Sequence, residues 1–260
     1  MNKLFQVAGI QFSVNDDIHH WNEFQVKKAD NIQFTIQCLS LNMQKYGLEK
    51  YPNSCRAETL FRNKGEVMLV DSDWKNVLIL PPQSIEQAEA FFVQVFHTHA
   101  VRRQMLQLHC ATIDDGGRGI LFLGPSGIGK TTQAERWAQY RSSAIINGDI
   151  GFVQRTPAGY TAWGTPWHGS SPYCLNASVP VKALVVLKQA PQNALRELTG
   201  FEKVREVSGS VFCPTWLEDG MELCTDTLNH LLSDLPVYRL DNRADEEAVR
   251  LLAAEIDRIS

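Results

Sequence analysis

The 260-residue chain is 44% hydrophobic and 21% charged, the proportions of a globular protein with a full core. Its formal net charge of −4 and pI near 6.0 argue against a general nucleic-acid or membrane-surface binder, since such partners are held by an excess of Lys and Arg. The six cysteines, Cys38, Cys55, Cys110, Cys174, Cys213 and Cys224, form no C-x-x-C pair and no zinc-spaced cluster, so they read as reduced thiols. No stretch approaches the ~20 apolar residues of a membrane span. The N-terminus has no long apolar region, and the expectation is a cytoplasmic protein.

Taken in order, Leu4 to Val14 reads as a strand or hairpin broken at Gly9, followed by a polar loop from Asn15 to His20. His19 and His20 are adjacent and read as loop polar residues rather than a metal pair. Alternation of Ile32, Phe34 and Ile36 with Gln33, Thr35 and Gln37 predicts a half-buried strand. Short strands follow at Ala57–Phe61, Glu66–Val70 and Trp74–Leu80, with turn chemistry at Asn63-Lys64-Gly65 and Asp71-Ser72-Asp73. Residues 1–81 therefore form a small, mainly β module without a chemistry-bearing motif. Pro81-Pro82 marks the boundary of a second domain, 82–260. A capping box at Ser84 and Gln87 opens a helix from about Ile85 to Met105, with Ala88, Phe91, Phe92, Val95 and Phe96 on its apolar face. His97 and His99, two apart, read as structural, and Arg102-Arg103 as its dipole-facing, solvated end.

Leu106–Ile113 predicts a strand, Asp114-Asp115-Gly116-Gly117 a hairpin turn, and Gly119–Leu123 a second, buried strand. A helix runs from the following loop to about Tyr140. Next come a short strand Ala144–Asp149 ending in an acid, and a hairpin around Thr156-Pro157-Ala158. An irregular stretch from Gly164 to about Pro180 precedes a buried strand, Val181–Leu187. Val204–Phe212 and Trp216–Leu232 look helical, Val237–Leu240 is a last strand and Glu246–Ile256 a closing helix. The fold class is α/β (α+β): a core with a mixed sheet flanked by helices, plus the small β module.

One stretch carries most of the chemistry. Gly124-Pro125-Ser126-Gly127-Ile128-Gly129-Lys130-Thr131 matches G-x-x-x-x-G-K-[ST] between a strand and a helix. Glycines let the backbone turn its N–H groups toward phosphate oxygens, and the helix start, continuing through Thr132, adds the positive end of its dipole. Lys130 is placed to reach the β- and γ-phosphates of a nucleotide, and Thr131 to ligate Mg²⁺. Such a loop needs a carboxylate. Asp149, at a strand end, is the candidate for both metal ligand and general base, with a turn or cap aspartate as the bland alternative. No Asp or Glu occurs between it and Glu197. Asp114 and Asp115 read as turn residues. His109, one strand before the loop, is a core histidine or a site residue. Gly164–Tyr173 is a recognition loop or a rigid connector with Trp167 packed inside. Arg155 is a charge-neutralising arginine or a solvated one.

Leu108-His109-Cys110-Ala111, the loop Leu123–Thr132 and Asn147-Gly148-Asp149 together resemble the catalytic domain of HPr kinase/phosphorylase, firmly over about 106–155. Relatives of that family include PEP carboxykinase-like kinases and the kinases that modify lasso-peptide precursors. Trp163-Gly164-Thr165-Pro166-Trp167 and the chain length look closest to the peptide kinases. The resemblance implies an ATP- and Mg²⁺-dependent serine kinase with His109, Lys130 and Asp149 in catalysis. It implies nucleotide contacts along 124–132, and Thr131 with Asp149 at the metal. The acceptor it implies is a peptide or small protein, a ribosomal peptide precursor among the options, with homo-oligomerisation open and neither nucleic acid nor membrane as partner. Two departures are visible: Gly148 stands where the family often has a second acid, and its later metal glutamate has no counterpart. A small-molecule hydroxyl kinase and a non-catalytic nucleotide-binding regulator remain the alternatives.

Overall fold

The computed structural model describes residues 2–15, 18–38, 57–63, 65–80 and 85–259. Asp16, Asp17, Cys55, Lys64, Pro81, Pro82 and the Ser84 capping box lie outside them, as do the side chains of His19, His20 and Gln87. The chain is mixed α/β, with two mixed sheets and five helices among the described residues. Two compact units divide it, Met1–His99 and Ala100–Ser260. The division falls in the last turn of the helix that follows Pro81-Pro82, so most of that helix goes with the N-terminal sheet.

The N-terminal unit opens with β1 (Lys3–Val7) and β2 (Ile10–Val14). They form a hairpin whose two central residues, Ala8 and Gly9, both take positive φ, the geometry that matches strand twist in a tight turn. A 3₁₀ turn, His19–Phe24, leads to β3 (Gln25–Val26), and β4 (Ile32–Cys38), β5 (Thr59–Asn63), β6 (Glu66–Val70) and β7 (Asn76–Leu80) complete the sheet. Its order is β3-β1-β2-β4-β7-β6-β5, with β4 parallel to both β2 and β7. Helix α1 (Ile85–Val101) supplies the Ala88, Phe91, Phe92, Val95 and Phe96 face expected from its periodicity, all buried. Phe92 meets Trp21 edge-on at 5.3 Å, and Phe12 stacks on Phe34 at 4.7 Å. The helix stops at Val101 rather than Met105 because Gln104 turns the chain with positive φ. His97 is buried, which lowers its pKa to about 4. His99 stacks on Phe34, and its Nε2 lies 2.9 Å from the Trp74 carbonyl oxygen.

The C-terminal unit begins with β8 (Met105–Asp114), β9 (Gly119–Leu123), α2 (Lys130–Arg141), β10 (Ala144–Asn147), β11 (Ile150–Thr156) and β12 (Gly159–Trp163). It continues with β13 (Ser178–Gln189), β14 (Ala194–Leu198), α3 (Phe201–Val207), β15 (Val211–Phe212), α4 (Gly220–Asp234), β16 (Val237–Asn242) and α5 (Glu246–Ile256). Pairing runs β8-β11-β12-β13 and returns through β9 to β8, so these strands close on themselves. β13 is parallel to β9 and β16, and the other pairings in this unit are antiparallel. Alternate residues Ala111, Ile113, Ile120 and Phe122 pack under α2 and α5 with Trp137, Val185, Leu240 and Leu252. α5 starts where expected, its cap formed by the Asp245 carboxylate accepting from the Ala248 amide at 3.1 Å.

Two differences from the sequence expectation matter for function. The short strand before Asp149 ends at Asn147, leaving the acid in a turn. Val211-Phe212, expected as a helix end, is instead a strand pairing with β8, because α3 ends at Val207 and a 3₁₀ turn re-aims the chain.

Candidate active site

Each residue of β8 has two flanks, and the pairings on them assemble the site. β10 and β11 follow one another along one flank, opposite Asp114–Thr112 and His109–Met105. β9 and β15 share the other, Leu123 opposite Cys110 and Val211 opposite Leu108. The glycine-rich loop leaves β9 beside Cys110, and the β10–β11 turn crosses the same level from the opposite flank. His109 therefore faces both connections.

The turn is built by Asn147. Its fully buried side chain accepts from the backbone amides of Asp149 and Ile150, each at 2.9 Å, and donates to the carbonyls of Thr165 (3.1 Å) and Trp167 (3.0 Å). The Asp149 carbonyl accepts from the Cys110 amide at 2.9 Å. Held in this way, the Asp149 carboxylate puts Oδ1 3.0 Å from His109 Nε2, with the two side chains 30% and 23% exposed. One carboxylate oxygen is thus paired while the group keeps access to solvent. Asn147 was legible only as part of a motif. An Asn two residues before the acid is the usual signal of a side chain capping its own turn.

The irregular stretch after β12 acts as a clamp on this turn. Thr165 donates to the Ile150 carbonyl at 2.9 Å, and Trp167 is buried against Phe152. This favours the rigid-connector alternative for its first half. His168 Nδ1 bonds the Ser171 carbonyl, and the next residue, Gly169, presses backbone onto the acid: a Cβ there would lie 2.4 Å from Asp149 Oδ2. At Gly148 a Cβ would lie 1.8 Å from Ser171 Oγ. A side chain at 148 would have to displace Ser171, so the packing here favours glycine over a second acid beside Asp149.

On the other flank, Gly124, Gly127 and Gly129 all take positive φ, conformations that side chains resist, and Gly129 caps α2. Pro125, Ser126, Gly127 and Thr132 are exposed, Ile128 half-buried. Lys130, the first residue of α2, is buried and donates to the carbonyls of Gly124 (3.0 Å) and Pro125 (3.3 Å). Burial lowers its pKa, and the Asp149 charge acts in the opposite sense, which ties the two side chains to one electrostatic environment. Thr131 donates to the Gly148 carbonyl at 3.2 Å, joining the loop to the acid-bearing turn. Burial pushes the Cys110 thiol up to about 11, so it stays protonated. Among the described residues no group of three or more His, Cys, Asp and Glu side chains forms a metal cage. The oxygen donors at hand, Thr131 and Asp149, suit a Mg²⁺ that keeps waters and phosphate oxygens as its other ligands.

The remaining candidates lie elsewhere. Arg155 is opposite Tyr160 at the far end of β11, six residues and about 20 Å along the chain from Asp149. Arg103 closes the turn after α1. Asp114 accepts from the Gly117 amide at 2.6 Å, as a turn residue should. Asp115 does more. Its buried carboxylate receives Arg118 (2.5 Å), Arg141 (2.9 Å) and Ser143 (2.8 Å). Burial opposes its ionisation, but these donors together hold its pKa below the usual carboxylate value. Cys213 and Cys224 are free thiols with sulfurs 3.2 Å apart.

A family model described as SynChlorMet cassette protein ScmC matches residues 83–223, more than half of the chain. The chain belongs to the ScmC family. The matched stretch contains β8, the glycine-rich loop, Asn147, Asp149, the clamp and β15, so all parts of the candidate site lie within the ScmC match. No curated protein matches the chain.

Proposed function

We propose that this member of the ScmC family is an ATP-dependent kinase of the P-loop, HPr-kinase-like type that phosphorylates a serine hydroxyl of a peptide or small protein. The carrying observation is the juxtaposition of a G-x-x-x-x-G-K-T loop with a partly exposed carboxylate, Asp149, that is paired to His109 and whose turn is joined to the loop by the Thr131–Gly148 hydrogen bond. The motif resemblance to HPr kinase supports the same reading. Loop amides and the α2 N-terminus would receive the phosphates. Lys130 would exchange its carbonyl partners for β- and γ-phosphate oxygens. Thr131 and Asp149 would hold Mg²⁺, which supplies charge neutralisation across the transferring phosphoryl group. Asp149 takes the proton of the acceptor hydroxyl as its oxygen bonds to the γ-phosphorus and the bond from phosphorus to the ADP oxygen breaks. His109 orients the carboxylate by donating to Oδ1.

The lone acid at 149 is the observation behind the competing reading, a nucleotide-binding regulator without transfer. The two separate in one experiment. Incubation with MgATP and serine-containing peptides, followed by mass spectrometry, should show a gain of roughly 80 Da, one phosphoryl group. Lys130→Ala should abolish it through nucleotide binding, and Asp149→Asn should abolish it with nucleotide still bound. Retained ATP binding without product on any hydroxyl would favour the regulator.

A further inference from the structure

We infer that Phe212 is the acceptor-side wall of this site and selects a peptide whose serine is flanked by an apolar or aromatic side chain. The inference rests on the phosphotransfer reading above. Along β8 the pairings run Leu123 opposite Cys110, then His109, then Val211 opposite Leu108, then Phe212 opposite Gln107. Side chains alternate along a strand and cross-strand partners share a face, so Phe212, Gln107 and His109 lie on one face. The Phe212 and His109 rings are 6.4 Å apart. The order on that edge is therefore nucleotide loop, then His109 with Asp149, then Phe212.

That order has a direction in it. In an in-line phosphoryl transfer the attacking and leaving oxygens lie on opposite sides of phosphorus. With the leaving diphosphate on the glycine-rich loop, the acceptor comes from the side away from the loop, where Phe212 stands. Phe212 is 45% exposed, whereas Phe122, Phe152, Tyr160 and Tyr238 on this unit's other strands are buried and Trp163 is half-buried. An aromatic face left in water next to a candidate base regains favourable free energy by covering an apolar group. The distance sets the kind of ligand. The Phe212 ring lies beside His109, the residue paired to Asp149, with centroids 6.4 Å apart. It is at the reach of a side chain on the neighbouring residue, since successive Cα atoms are about 3.8 Å apart. A peptide presents such a neighbour beside its hydroxyl.

The test uses the full chain, MgATP and synthetic serine peptides that carry Ala, Leu, Phe, Lys or Glu on either side of the serine. The wild-type protein should favour Leu and Phe peptides by about tenfold in kcat/KM, carried by KM. Phe212→Ala should flatten that preference, Phe212→Tyr should keep it, and melting curves report whether each variant folds. A wild-type panel without preference overturns the inference whatever the variants do. So does Phe212→Ala retaining the preference, or lowering all peptides equally through kcat. Transfer to no peptide at all would sink the kinase reading itself, a distinct result.

Discussion

Asp115 and Asp149 sit at opposite ends of the same hairpin region, and their surroundings divide labour between them. Asp115 is buried and takes two arginines and a serine hydroxyl. Asp149 is pinned through its backbone, while its carboxylate meets a single histidine and stays partly exposed. A saturated carboxylate has no lone pair to offer a substrate; an unsaturated one held by its main chain does. The position of an acid can be fixed through its main chain while its carboxylate oxygens stay available.

Four substitutions or conditions would break that contrast, beginning with the largest effect. Asp149→Asn should lower phosphoryl transfer by about 10³-fold or more while shifting stability by less than about 1 kcal/mol, as read by initial rates and urea unfolding. Asp115→Asn should do the reverse, costing about 2–3 kcal/mol because two arginines lose their charge partner in a buried site. Gly148→Ala should cost about 2 kcal/mol by forcing its Cβ onto Ser171. Ser171→Gly in the same chain should recover much of that loss, which a double-mutant cycle would measure.

Acidification gives the most graded effect. The depressed pKa of His97, about 4, means the folded form stays neutral while the unfolded chain takes a proton below about 6.5. Stability should fall by up to about 1.4 kcal/mol per pH unit between those values. Asp115, whose folded pKa is lowered, contributes stability above its unfolded value of about 3.9 and loses it as pH falls through the folded value. Urea titrations at successive pH values should show the His97 window unchanged in Asp115→Asn and the lower window gone.

Much of this was readable in the chain. α5 spans the Glu246–Ile256 expected of it, because the capping and periodicity that set a helix are local. The loop before α2 was legible because three glycines and Lys-Thr leave few alternatives. The proximity of His109 and Asp149 could only be suspected, since they are forty residues apart in sequence and meet through register. Three things were hidden. The role of Asn147 in building the turn was not legible, because its buried amide's partners, Thr165 and Trp167, come from a later segment. Phe212 looked helical, because a two-residue strand has no period to read. Asp115 looked like a turn residue because Arg141 and Ser143 reach it only after α2 has folded back.

β8 pairs at successive levels with the strands leading into the loop, the strand that follows the acid and the strand bearing Phe212. A shift of that strand as a body is a common-mode error: its attached parts move together and their mutual distances survive. A slip of one residue is the opposite, turning His109 to the other face and parting it from Asp149 in a single step. The arrangement tolerates translation and forbids misregistration.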